Sequence, residues 1–131
     1  MSVRFNHVLL AAHDRRKSAT FFAHLFDLSA PTFWGPFAIV RLDEEAHVLF
    51  AEPGLETIQM LHLAFLVDDG AFDAVYRRIV EGQIEHWADP QMSRQGQINT
   101  NHGGRGVYFK DPAGHGLEIM TRPDAWVAAQ P

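Results

Sequence analysis

Met60-Leu61-His62-Leu63-Ala64-Phe65-Leu66-Val67-Asp68-Asp69-Gly70-Ala71-Phe72-Asp73-Ala74-Val75-Tyr76-Arg77-Arg78-Ile79-Val80-Glu81-Gly82 changes its period halfway, and that change decides the fold. Through Val67 the side chains alternate. Leu61, Leu63, Phe65 and Val67 share one face, and Met60, His62, Ala64 and Leu66 share the other, the period of a strand. Asp68-Asp69 is a helix N-cap signal. Beyond it Phe72, Val75, Tyr76, Ile79 and Val80 recur at i, i+3, i+4, i+7 and i+8, an amphipathic helix stripe, with Gly82 as its expected stop.

The same plan occurs earlier in the chain. Phe5 to Ala12 reads as a strand, Asp14 as an N-cap, and the following residues as a helix to about Phe26, with Ala19, Phe22, Leu25 and Phe26 as its stripe. Arg15-Arg16-Lys17 sits in the first turn of that helix, where the helix dipole disfavours positive charge. A loop, Pro31-Thr32-Phe33-Trp34-Gly35-Pro36, leads to strands from Phe37 to Leu42 and from His47 to Ala51, separated by a turn at Asp43-Glu44-Glu45. In the second half, strands are expected from Ile84 to Ala88, Arg105 to Lys110 and His115 to Met120, with Asp111-Pro112-Ala113-Gly114 turning the last two into a hairpin. His7 falls on His62 at an offset of 55 residues. The expectation is an α+β fold of two βαβββ modules, about 3–53 and 58–121, with a tail from 122 to 131. Each module is too small to bury its own sheet well, so the two form one domain.

Composition removes several function classes. The 131 residues are 47% hydrophobic and 21% charged, an ordinary globular mix. There is no cysteine, so a thiolate nucleophile, a disulfide scaffold and a Cys-based zinc site are impossible. The net charge is -5 and the basic residues are scattered, which argues against nucleic acid as a partner. No apolar run has the length of a membrane span, and no signal peptide is read at the start; the expected compartment is the cytoplasm. The eight histidines stand out: without cysteine, histidines and carboxylates are the strong metal ligands available.

Strand parity sorts these groups. His62 lies opposite the helix-facing Leu63 and Phe65, and His7 lies opposite Val8 and Leu10. Glu118 lies opposite Leu117 and Ile119, and Tyr108 opposite Val107 and Phe109. All four therefore point away from the helix layer onto a largely apolar face. Two imidazoles and one carboxylate converging there would need a shared proton network or a cation. Two histidines and a carboxylate with open positions form the set typical of non-haem Fe(II), and acceptable to Mn, Ni or Zn. Each residue also fits an ordinary structural role, so parity leaves a metal centre and a structural cluster both open.

Asn6-His7-Val8, Leu61-His62-Leu63-Ala64-Phe65 and Gly106-Val107-Tyr108-Phe109-Lys110-Asp111-Pro112-Ala113-Gly114-His115-Gly116-Leu117-Glu118 together resemble the vicinal oxygen chelate superfamily, over about residues 4–121. That group includes glyoxalase I, fosfomycin-resistance thiol transferases, extradiol dioxygenases and bleomycin-resistance proteins. The resemblance implies curved mixed sheets that pair across a homodimer to enclose a cavity, with His7 of one chain facing His62 and Glu118 of its partner. It implies that these three hold a divalent metal ion (Fe, Mn, Ni or Zn), and that Tyr108 contacts substrate or moves a proton. It further implies a lyase/isomerase, dioxygenase or thiol-transfer enzyme acting on a small molecule that chelates the metal through neighbouring oxygens. Where glyoxalase I-type sites carry a fourth carboxylate ligand, this chain has Leu49 or Phe50. Where the fosfomycin enzymes carry a phosphonate-binding lysine, it has Glu85-His86-Trp87-Ala88-Asp89-Pro90.

Substrate contacts are expected from Phe33, Trp34 and Phe37, for which core or dimer packing is the competing role. They are also expected from Arg94 and His102 in the polar segment 91–104, read as a binding loop or a plain surface loop. His13, His24, His47, His86 and His115 are read as structural or solvated, and Trp126 as packing on a partner or fraying. The alternative function is a non-catalytic protein that sequesters an aromatic or antibiotic-like molecule, as bleomycin-resistance proteins do.

Overall fold

The computed structural model describes residues 2–124; the expectation for Trp126 lies outside them. The chain divides into two compact units, Met1–Leu61 with Asp111–Gly114, and His62–Lys110 with the chain from His115 onward.

In the first unit, β1 (His7–Ala11) is followed by α1 (Arg15–Leu25), β2 (Thr32–Trp34), β3 (Phe37–Arg41) and β4 (His47–Ala51). The strand order is β1-β4-β3-β2. β1 pairs with β4 in parallel, and the other two pairings are antiparallel. Leu10, Ala38, Val40, Val48 and Phe50 are buried on the helix side with Ala19, Phe22, Ala23 and Leu25 of α1. The rings of Phe22 and Phe50 meet at 6.2 Å.

The second unit repeats the plan with β5 (His62–Leu66), α2 (Asp69–Glu81), β6 (His86–Trp87), β7 (Gly106–Lys110) and β8 (Gly116–Met120), in the order β5-β8-β7-β6. Its buried apolar side chains include Phe72, Val75 and Ile79 of α2 and Val107, Phe109, Leu117 and Ile119 of the sheet. The expected α+β fold of two βαβββ modules is therefore present. Among the described residues no helix is long and apolar enough to cross a membrane.

Both helices start on the expected caps. Asp14 accepts from the Lys17 N–H and Asp68 from the Ala71 N–H. They also end alike. Leu28 N–H reaches Ala23 O and Ile84 N–H reaches Ile79 O, the long bond of a Schellman turn. In that turn the left-handed residues are Asp27 (φ 55°) and Gln83 (φ 54°). The expected stop, Gly82, has an ordinary φ of -81°. A Cβ there would stand 3.0 Å from the Arg78 carbonyl, a tight contact that the neighbour would have to relieve by a few tenths of an ångström.

Two expectations are corrected. Residues 31–36 are not simply a loop: Thr32–Trp34 forms β2, and its Trp34↔Phe37 pairing closes a hairpin over Gly35-Pro36. Gly35, at φ 56°, supplies the turn. The strand expected from Ile84 to Ala88 shrinks to His86–Trp87, because Ala88 N–H leaves the β7 ladder for the Arg94 carbonyl.

The segment after β6 is closely tied. The buried Asp89 carboxylate accepts from Ser93 N–H, Ser93 Oγ–H and Arg94 N–H. Asn99 donates from Nδ2 to Ala88 O at 2.8 Å and bridges to Gly106. The Ser93 and Arg94 bonds, led by that from the Ser93 side chain, hold the Asp89 carboxyl below its ordinary pKa.

A depressed folded-state pKa contributes stability above the unfolded value, near 3.9, that is lost as pH falls through the folded one. Asp89→Asn should therefore lower stability at neutral pH and flatten its loss below about pH 4, read by urea unfolding at several pH values. Gln83→Gly should stabilise by about 0.5–1 kcal/mol through relief of the left-handed backbone, whereas Gly82→Ala should destabilise. Chemical denaturation of both variants checks the opposite signs.

Candidate active site

The second unit assembles a cluster from three neighbouring strands. Glu118 sits in β8 with Ala64 of β5 as its partner on one side and Tyr108 of β7 on the other. Strand parity turns all three to the face away from the buried Leu117, Ile119, Val107 and Phe109. His62 lies two residues before Ala64, and that short methyl leaves its ring free to reach diagonally across. His62 Nε2 stands 3.0 Å from Glu118 Oε1. The Glu118 side chain is only 10% exposed, while the His62 ring is 50% exposed. The His62 and Tyr108 rings lie 6.2 Å apart and nearly parallel, 26° between planes.

The electrostatics follow from that placement. Tyr108 is pushed well above the ordinary tyrosine pKa, first by burial, then by the negative charge of Glu118 and the hydrogen bond to it. Asp124 and Asp89 add in the same direction. Tyr108 therefore keeps its proton at neutral pH and is a donor, not a base.

The first unit carries His7. Asn6 Oδ1 lies 2.7 Å from His7 Nδ1; with Nδ1 as the donor, Nε2 becomes the lone-pair nitrogen. An outer partner of this kind commonly fixes the tautomer of a metal-binding histidine. In the register of that sheet Leu9 pairs with Leu49, where the second sheet pairs Ala64 with Glu118. Leu49 is thus the counterpart of Glu118, and the first unit has no carboxylate there.

The donor set fits half of a metal centre. Two adjacent ligands about 2.1 Å from one ion, at roughly a right angle, stand about 3 Å apart, the spacing of His62 Nε2 and Glu118 Oε1. The same spacing is a hydrogen bond, which the pair makes here. Among the described residues of the single chain, no three His, Asp or Glu side chains gather closely enough to hold an ion.

The other candidates fall elsewhere. Phe33 and Trp34 are exposed, Trp34 at 73%, so neither is core. Trp34 stacks on Phe37 with 6.5 Å between centroids, and the Arg15 and Arg16 guanidiniums lie over Phe33 at 5.3 and 4.3 Å. Arg94 meets Asp89 through its backbone. His102 adopts φ 58° in a short 3-10 turn, and its Nε2 lies 3.5 Å from Asp124 Oδ1. Asn6, Asp89 and Asp124 were not singled out by sequence; only adjacency to His7 could have pointed to Asn6. His86 is structural, bonded to the Tyr76 hydroxyl and Ile84 O, and His115 is buried.

Removing the charge of Glu118 should relax Tyr108. The chain has two tyrosines, so a Tyr108→Phe control assigns its step in a tyrosinate absorbance titration. In Glu118→Gln that step should move to lower pH; an unmoved step would show that Glu118 does not set it.

Comparison with known proteins agrees with this fold. The model of the glyoxalase/bleomycin resistance protein/dioxygenase superfamily matches residues 4–119. The structure of the oxidase ChaP-H1 is 47% identical, covers 93% of this chain and 98% of that one, and superposes with a TM-score of 0.89. The oxidase ChaP-H2 is 43% identical, covers 94% and 96%, and also gives 0.89. Metallothiol transferase FosB of Shouchella clausii (strain KSM-K16) is 29% identical over 121 residues, 88% of this chain and 78% of that protein. The chain belongs to the glyoxalase/bleomycin resistance protein/dioxygenase superfamily.

Proposed function

We propose that this chain is a divalent-metal-dependent oxidase that acts on a small substrate presenting two neighbouring oxygens. The observation that carries the reading is the dry Glu118 carboxylate held 3.0 Å from the half-exposed His62 imidazole, with the protonated Tyr108 beside it. Identities of 47% and 43% to two oxidases favour oxidation over the thiol transfer named for the 29% relative. The absence of lysine from residues 85–90 points the same way.

His62, Glu118 and His7 would hold the ion, with His7 supplied by the second chain of a homodimer. The ion, when bound, supplies Lewis acidity toward the substrate oxygens and, as iron, access to dioxygen. Asn6 keeps the His7 lone pair outward, and Tyr108 donates a hydrogen bond to the oxygen that gains negative charge. Leu49, in place of a fourth ligand, leaves room for a substrate to chelate through two oxygens.

Fe(II) loaded without oxygen should reach about one ion per chain in the wild type and fall below roughly 0.2 in His7→Ala, His62→Ala and Glu118→Ala. Mixing His7→Ala chains with His62→Ala chains should restore about a quarter of the wild-type metal, since each mixed dimer keeps one intact site. Oxygen uptake with a panel of small catechols tests the oxidase. A wild-type protein that holds no metal returns the reading to the ligand-sequestering alternative.

A further inference from the structure

We infer that a cavity at the ends of β1 and β4 is a binding subsite for an apolar small molecule whose acidic oxygen meets Arg15. The cavity measures about 650 Å³. Its walls are Leu9 to Ala11, Ala51 to Pro53, Pro36 of the β2–β3 turn, and Arg15 at the start of α1. That volume lies within the range of small-molecule sites, and the lining is mainly apolar.

Arg15 is held ready. Its Nη1 donates to Gly35 O at 3.0 Å, and its guanidinium lies over the Phe33 ring at 5.3 Å. The chain is fixed by one bond and one stacking contact, and a guanidinium has five N–H groups, so donors remain for a carboxylate or sulfonate. The opposing charge is Glu52, whose Oε2 lies 3.5 Å from the Arg15 backbone nitrogen. Cation and carboxylate both line the cavity, so an anionic ligand is drawn by one and opposed by the other. That opposition gives the test its sign.

The subsite also has a direction. Leu9 lies two residues along β1 from His7 on the same sheet face, about 7 Å away. A ligand seated against Leu9 therefore shares the sheet face of His7. On the reading proposed above, and resting on it, the cavity holds the part of the substrate remote from the reacting oxygens. The substrate is then an extended apolar molecule with an acidic group at its far end.

The test uses the whole chain without added metal and two fluorescent probes. These are 1-anilinonaphthalene-8-sulfonate and its uncharged analogue N-phenyl-1-naphthylamine. The sulfonate should bind once per chain, weaken about tenfold in Arg15→Gln and tighten about two- to threefold in Glu52→Gln. The uncharged probe should respond to neither. Leu9→Trp and Ala51→Phe, which fill the cavity from two sides, should weaken both probes. Two fillers are used so that one that fails to fold leaves the other to read. Sulfonate binding that is absent, or that ignores Arg15, Glu52 and both fillers, overturns the subsite. Equal loss of both probes in Arg15→Gln overturns the role of its charge. His62→Ala should keep probe binding while losing metal, and Arg15→Gln should keep metal, so failure of the subsite and failure of the metal reading give different results.

Discussion

A carboxylate that is almost dry must be neutralised, hydrogen-bonded or protonated, and Glu118 imposes that requirement on the second module. Its place is fixed by backbone register: in β8 it is bracketed by Ala64 and Tyr108, and it cannot turn to the helix side without breaking the alternation that buries Leu117 and Ile119. Relief comes from His62, which reaches it across the Ala64 methyl, and from the Tyr108 hydroxyl, whose proton the same charge retains. One residue thus gathers an imidazole and a proton donor around its own carboxylate.

The first module shows the same backbone without that demand. With Leu49 at the corresponding place, nothing on its face must be neutralised, and His7 turns to Asn6. The two modules share what packing needs: the aspartate caps, the Schellman ends at Asp27 and Gln83, and the strand order. They do not share the chemistry. The offset between modules is 55 residues at the first strand and 69 at the last, and the extra length falls in the segment braced by Asp89 and Asn99.

What could be read from the sequence follows the same division. Strand and helix periods are set by burial, so β1, α1, β5, α2 and the final hairpin were legible, as was the shared face of His62, Glu118 and Tyr108. The β2 strand was not, because Thr32–Trp34 lies wholly exposed at a sheet edge and leaves no alternation to detect. Gly82 marks the helix stop as expected, though with an ordinary φ of -81° and not a left-handed one. Asp124 and Asp89 were hidden because their partners depend on how loops return, which no local period encodes.

The asymmetry of exposure carries the remaining argument. Taking both partners of an ion pair out of water costs more than leaving one of them in contact with it. Here Glu118 is dry and His62 is half open, and the strand face around them is apolar: Met60 and Leu66 are exposed beside His62, and Phe5 and Leu9 beside His7. Such a face is costly to leave in water and has no structural use within its own module. It becomes economical if the histidines must stay accessible until an ion and a second copy arrive together. Binding the ion and pairing the chains would then be one linked equilibrium, each raising the apparent affinity of the other.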